Sequence, residues 1–89
     1  MENCYIITID YLHDGSEISS VHSKEETALD KAIAIALANV NNFDNQFKKI
    51  RKYTKYPTLS LQLKRDLISD FNTIHSSMRI GVTEFKIED

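Results

Sequence analysis

The densest group of chemically capable side chains lies in the stretch FKKIRKYTKYP, from Phe47 to Pro57. Five of its eleven residues are Lys or Arg, two are Tyr, and none is acidic. Such cations can neutralise phosphates or carboxylates, and tyrosine rings can stack on nucleobases. The candidate partner-binding residues are Lys48, Lys49, Arg51, Lys52, Tyr53, Lys55 and Tyr56. The alternative is that the cations only solvate the outside of a helix whose Phe47 and Ile50 face the core.

The charges of the chain are segregated along the sequence. Residues 1–44 carry eight acidic and two basic side chains, residues 45–65 carry seven basic and no acidic ones, and residues 66–89 carry five acidic and two basic ones. The formal net charge of −2 therefore conceals a strongly basic middle between acidic flanks. This separation exceeds what solubility requires, and it favours a binding role with an acidic protein surface or a nucleic acid as partner.

The acidic residues of the first half could form a second binding surface, one that competes for a phosphate-binding groove on another protein. They are Glu2, Asp10, Asp14, Glu17, Glu25, Glu26 and Asp30. Structural roles account for several of them, because Asp14 lies in a predicted turn, and Glu25 and Glu26 suit a helix N-terminus. Mimicry of a nucleic acid is therefore the weaker interpretation.

The other residues with catalytic or metal-binding chemistry occur as isolated pairs. The pairs are Asp66 with Asp70, His13 with His22, and Cys4 with His75. Each lacks the further ligands of a metal site, or the orienting acid and oxyanion donors of a nucleophilic site. We expect no enzymatic activity, no metal and no cofactor.

The length of 89 residues predicts one domain, residues 1–89, with 42% hydrophobic and 27% charged residues. The lone Cys4 cannot close an internal disulfide, which favours a reducing, cytoplasmic setting. The longest apolar run, Ala32 to Val40, is well below the roughly 18 residues of a membrane span. We expect no association with a membrane.

The first half of the chain predicts a hairpin of two strands. Cys4 to Leu12 is rich in β-branched and aromatic residues, and both of its faces are partly apolar, which is typical of a central strand. The turn at His13 to Ser16 contains an Asp-Gly pair, which suits a tight hairpin because Gly15 tolerates positive φ. Glu17 to His22 then returns as a weaker edge strand.

Three helices are predicted after the hairpin. The first begins with a capping box between Ser23 and Glu26 and ends near Asn42. The second carries Phe43, Phe47 and Ile50 at helical spacing and ends before Pro57. The third runs from about Leu59 to His75.

A last strand from Ile80 to Ile87 closes the chain. Its apolar residues move from one face of the strand to the other between Val82 and Phe85, which predicts a bulge or a short strand start near Thr83. The predicted fold is α+β with the order β-β-α-α-α-β, a three-stranded sheet with the first strand central, and helices on one face. An exposed strand edge would also allow a homodimer formed by strand pairing.

The segment YIITIDY, the hairpin leading to SSVHSKEETAL and the closing VTEFKIED together resemble small phage and prophage accessory proteins. The resemblance covers both ends of the chain. Some phage proteins of this size inhibit host defences, anti-CRISPR proteins among them, so the resemblance implies an inhibitor of a host nucleic-acid-handling or defence complex. We therefore expect a protein or nucleoprotein partner, with a nucleic-acid-binding module at residues 47–56 as the alternative.

Overall fold

The computed structural model describes residues 2–41 and 43–87. Its elements are β1 (Glu2–Tyr11), β2 (Gly15–His22), α1 (Glu25–Ala38), α2 (Lys48–Arg51) between the 3₁₀ turns Asn45–Phe47 and Lys52–Lys55, α3 (Leu61–Ile74) and β3 (Met78–Ile87). Residues 45–55 form one helical run, hereafter the basic segment. The predicted α+β class and the order β-β-α-α-α-β are confirmed.

The sheet has the strand order β2-β1-β3, so the prediction that the first strand is central is confirmed. Both pairings are antiparallel, and Ile7 and Ile9 of β1 lie opposite Val82 and Ile80 of β3. The hairpin turn is closed by a 3.0 Å hydrogen bond from the Asp14 amide to the Tyr11 carbonyl. Gly15 follows with φ of 91°, as the Asp-Gly pair predicts.

The helices cover one face of the sheet and build the core there. Its buried residues are Ile7, Ile9, Ala28, Leu29, Ala32, Ala36, Phe47, Ile50, Tyr53, Leu67, Ile68, Phe71, Met78 and Ile80. All three strands leave their opposite face uncovered by any described helix. This open face is formed by Cys4, Ile6, Thr8, Ile18, Val21, Gly81, Thr83, Phe85 and Ile87, which the registers place side by side.

The predicted bulge or short strand start near Thr83 is wrong, because β3 begins at Met78 and pairs with β1 without a register shift from Met78 to Ile87. The shift lies instead between β1 and β2, at Ile7 and Thr8. The change of face in the apolar residues has a different cause. The first part of β3 turns its apolar residues toward the helices, whereas Phe85 and Ile87 lie on the open face.

The predicted capping box at Ser23 is also wrong. Helix α1 begins at Glu25, and its N-cap is Lys24, which makes no side-chain hydrogen bond to the first turn. Ser23 lies outside the capping position, so its hydroxyl does not satisfy a first-turn amide. The cap that the structure does contain is Ser60, whose Oγ accepts from the Leu63 amide at 3.2 Å at the start of α3.

The junction after α1 differs from the prediction in two respects. Helix α1 ends at Ala38, where the Asn39 side chain donates to the Ile35 carbonyl at 2.8 Å, and Asn42 itself lies outside the described residues. Phe43 is 98% exposed and does not pack with the basic segment. That segment starts after Asp44, whose carboxylate accepts from the Gln46 amide at 2.9 Å.

Among the described residues, every helix is too short or too polar to cross a membrane.

Candidate partner-binding surface

The basic segment is attached to the core by three side chains spaced three residues apart. Phe47, Ile50 and Tyr53 are all buried. A spacing of three matches the three residues per turn of the 3₁₀ turns that flank α2. The side chains between these anchors therefore point away from the core, which places the lysines outside.

Tyr53 is therefore not available to stack on a partner, which corrects its assignment as a binding residue. Its ring is 5% exposed, and its hydroxyl donates to Oδ2 of Asp70 at 2.7 Å. Burial and the bond to the Asp70 carboxylate raise the pKa of Tyr53 to about 12. Tyr53 joins the basic segment to α3.

Arg51 also has a structural contact. Its guanidinium is half-buried and donates to the Asp44 carbonyl at 3.3 Å, which connects the basic segment to the turn before it. Two of the seven predicted binding residues thus take part in holding the segment in place.

The four lysines of the segment are exposed: Lys48, Lys49, Lys52 and Lys55, hereafter the lysine surface. Within residues 2–41 and 43–87, none of the four forms an ion pair with an acidic side chain. The Lys52 ammonium lies 5.1 Å from the centroid of the Tyr53 ring, within reach of a cation–π contact. The lysine surface therefore keeps its charge available to a partner.

The last two cations of residues 45–65 are arranged differently, because both turn toward α1. Lys64 is buried and lies 3.1 Å from the Glu26 carboxylate and 2.7 Å from that of Asp30. The hydrogen bond to Asp30 raises the pKa of Lys64 above its usual value, and desolvation partly opposes it. Arg65 pairs with Glu25 at 2.6 Å.

These ion pairs weaken the idea of an acidic surface that mimics nucleic acid. Glu25, Glu26 and Asp30 are all engaged by cations of α3. Asp10, Asp14 and Glu17 stay exposed on the hairpin, while the side chain of Glu2 lies outside the part of the chain that the structure describes. The acidic candidates are thus divided between an internal contact and a separate hairpin.

A groove of about 440 Å³ adjoins the basic segment, between α1, α3 and residues 56–59. Tyr56, which is 54% exposed, forms part of its wall. Its apolar lining comes from Ile33, Leu37, Tyr53, Pro57, Leu59 and Leu67, and its charged lining from Glu26, Asp30 and Lys64. Sequence reasoning missed this groove, since its walls come from parts of the chain that no local pattern connects.

Three members of the isolated pairs, Asp66, Asp70 and His22, make hydrogen bonds within the protein. Asp66 accepts from Gln62 at 3.0 Å, and Asp70 accepts from Tyr53. The His22 ring is hydrogen-bonded to Ser20 at 2.8 Å, while His13 is exposed in the hairpin turn. The described residues contain no group of three or more His, Cys, Asp or Glu arranged to hold a metal ion.

Cys4 and His75 lie on opposite sides of the sheet. Cys4 is on the open face, whereas the His75 ring packs against Phe47 and Phe71, with centroids 6.1 and 5.1 Å apart. Nδ1 of His75 accepts from the amides of Ser77 and Met78 at the end of α3. Burial lowers the pKa of His75, and the nearby Arg79 charge adds to this effect.

Comparison of the chain with protein-family models, with curated proteins and with solved structures finds no match.

Proposed function

We propose that this protein is a non-enzymatic binding protein that acts stoichiometrically in the cytoplasm, and that its lysine surface contacts an acidic partner protein. The observation that carries the proposal is the group of four exposed lysines without acidic partners among the described residues. In line with the resemblance to small phage accessory proteins, the partner is a host nucleic-acid-handling or defence complex, which binding inhibits.

The contrast within residues 45–65 supports a binding role for these charges. Acidic side chains of α1 contact Lys64 and Arg65, whereas the lysine surface has no such partner in residues 2–41 and 43–87. Like charges held close together repel one another, and carboxylates of a partner would relieve that repulsion. Electrostatic attraction would also speed the encounter and make it sensitive to salt.

The surroundings of the lysine surface favour a protein partner over a nucleic acid. Burial of Tyr53 removes one of the two tyrosine rings that could stack on bases. The adjoining groove has apolar walls, and its volume of about 440 Å³ has room for apolar side chains of a partner. An acidic protein segment with one apolar anchor would contact both features.

A nucleic acid is the second candidate partner, because the ring of Tyr56 stays exposed beside the lysines. Capture of partners from a host lysate, with and without nuclease, separates the two. A protein that is still captured after nuclease treatment supports the proposal. Capture that nuclease abolishes favours the nucleic-acid module.

Charge reversal tests which surface makes the contact. The triple variant Lys48→Glu, Lys49→Glu and Lys52→Glu should weaken binding of the captured partner at least about tenfold at low salt. The matched control reverses Lys24, Lys31 and Lys86, three exposed lysines outside the basic segment, and changes the net charge equally. Equal binding by the wild type and both variants would show that the lysine surface only solvates the helix.

A further inference from the structure

The open face of the sheet is an apolar surface that the described helices leave uncovered. Four of its large side chains are exposed to about half or more: Ile18 at 67%, Val21 at 58%, Phe85 at 49% and Ile87 at 47%. They flank the partly buried Ile6 and Cys4 of the central strand. Contiguous apolar patches of this kind mark interaction sites on soluble proteins.

The middle of this face carries no charge among the described side chains. Asp10 and Arg79 lie at its hairpin end, and the Arg79 guanidinium turns away to donate to the His75 carbonyl at 2.6 Å. In a symmetric dimer, a charged patch that packs against the same patch of the second copy brings like charges together. An uncharged face avoids that repulsion, and isologous dimers are built from such self-facing patches.

The centre of the open face is formed by small residues. Gly81 lies opposite Thr8, and a Cβ at Gly81 would be only 2.7 Å from Oγ1 of Thr8. The Thr8 side chain therefore lies over Gly81, and no large side chain protrudes at this point of the face. Small residues here leave room for side chains of a second sheet, since sheets stack about 10 Å apart with interdigitating side chains.

The size of the open face is sufficient for a dimer. Three strands of about ten residues cover roughly 33 by 14 Å, or about 460 Å² in projection, and protruding side chains increase the accessible area. Burial of this face on two copies removes on the order of 1,000 Å² from solvent, which is the lower limit of specific interfaces. Such an interface would be apolar, as those of homodimers are.

One edge of the sheet is protected against strand pairing. The Asn72 side chain donates to the Ile80 carbonyl and accepts from the Ile80 amide, both at 2.7 Å. These two bonds occupy the outward backbone groups that another strand would need at this point of β3. Strand pairing is thus disfavoured at this edge, whereas the open face presents a row of exposed apolar side chains for self-association.

We infer that the open face binds a second copy of this chain, so that two sheets pack face to face in a symmetric dimer. The helices of both copies then lie outside, and the dimer presents two lysine surfaces. This inference does not depend on the proposed function, because the dimer forms whether or not the lysines bind a partner.

The test is the molar mass in solution of the full chain over a range of concentrations, by analytical ultracentrifugation. The wild type should sediment as a dimer in equilibrium with monomer. The double variant Ile18→Lys and Phe85→Lys places two charges on each face and should raise the dissociation constant at least about tenfold. Thr83→Lys replaces an exposed polar side chain of the same face, and should weaken the dimer without affecting folding.

The matched control is the double variant Leu12→Lys and Leu61→Lys, at two apolar positions outside the open face that are 46% and 40% exposed. It should dimerise like the wild type, and circular dichroism should show all variants folded. A wild type that stays monomeric at every concentration overturns the inference. So does a dimer that persists unchanged in both open-face variants, because another surface must then form it.

Discussion

The basic segment and helix α3 follow each other along the chain, and both carry cations, yet they use them in opposite ways. In α3, Lys64 and Arg65 turn inward to the carboxylates of α1 and join two helices. In the basic segment, the lysine surface faces solvent without an acidic partner in the described part of the chain. Charges that hold the fold together are thus separate along the chain from charges that stay exposed to solvent.

The two regions also differ in how they are stabilised. Helix α3 has 14 residues, a side-chain cap at Ser60 and a buried face that includes Leu67 and Phe71. The basic segment contains only four α-helical residues between two 3₁₀ turns. A helix this short is not stable alone in water, so its shape depends on the buried anchors. The lysine surface is therefore rigid only while those anchors are in place.

The largest effect is expected from removal of the central anchor. Ile50 is fully buried, so Ile50→Ala should lower the free energy of unfolding by about 2–5 kcal/mol through lost burial and a cavity. Chemical denaturation at neutral pH measures this change in the free energy of unfolding. The neighbouring exposed Lys49→Ala should change stability by less than about 0.5 kcal/mol. Similar losses in the two variants would mean that the segment is not divided into an anchored side and a free side.

A smaller effect is expected at the contact that joins the two regions. Tyr53→Phe removes the hydrogen bond to the Asp70 carboxylate and should cost about 1–2 kcal/mol at neutral pH. Tyr56→Phe is the matched control, because the Tyr56 side chain is more than half exposed. An equal loss in both variants would contradict the structural role of Tyr53.

The hydrogen bond between Tyr53 and Asp70 also predicts that the stability of the protein falls at alkaline pH. The pKa of Tyr53 in the folded protein is about 12, against an ordinary value of 10.0, so the unfolded chain loses this proton first. The stability that Tyr53 contributes is complete below pH 10 and is lost as the pH rises to about 12. The wild type should therefore lose more stability than Tyr53→Phe across this interval. Parallel pH profiles would show that Tyr53 does not titrate in this way.

Much of the fold could be predicted from the sequence, because the signals involved are local. The alternation of β1, the Asp-Gly turn and the long apolar rhythm of α3 each depend on neighbouring residues. The outward position of the four lysines was predicted for the same reason. The sequence also contains a signal of the open face, because the apolar residues of β3 move from one face of the strand to the other between Val82 and Phe85. A bulge would explain this change equally well. Only the register of β3 against β1 distinguishes the two.

The parts that sequence reasoning missed depend on contacts between distant residues. Tyr53 looks like an exposed member of a basic stretch until Asp70, 17 residues later, is placed beside it. Lys64 belongs to the same basic run, yet its partners lie on α1, and Glu26 is 38 residues away. No local pattern distinguishes a lysine that will be paired from one that will stay free.

The smallest expected effect concerns the two serines that precede helices. Ser60→Ala should lower the free energy of unfolding by about 1 kcal/mol, because the Leu63 amide loses its side-chain acceptor in the first turn of α3. Ser23→Ala is the matched control and should leave stability within about 0.5 kcal/mol of the wild type, since α1 has no side-chain cap. Denaturation of both variants under identical conditions measures the difference. Because Ser60 fixes the start of α3 four residues before Lys64, its loss should loosen the helix end that carries the paired cations and spare the lysine surface. A larger loss of stability in Ser23→Ala than in Ser60→Ala would support the capping box predicted at Ser23. Helix α1 would then begin earlier than in the structure.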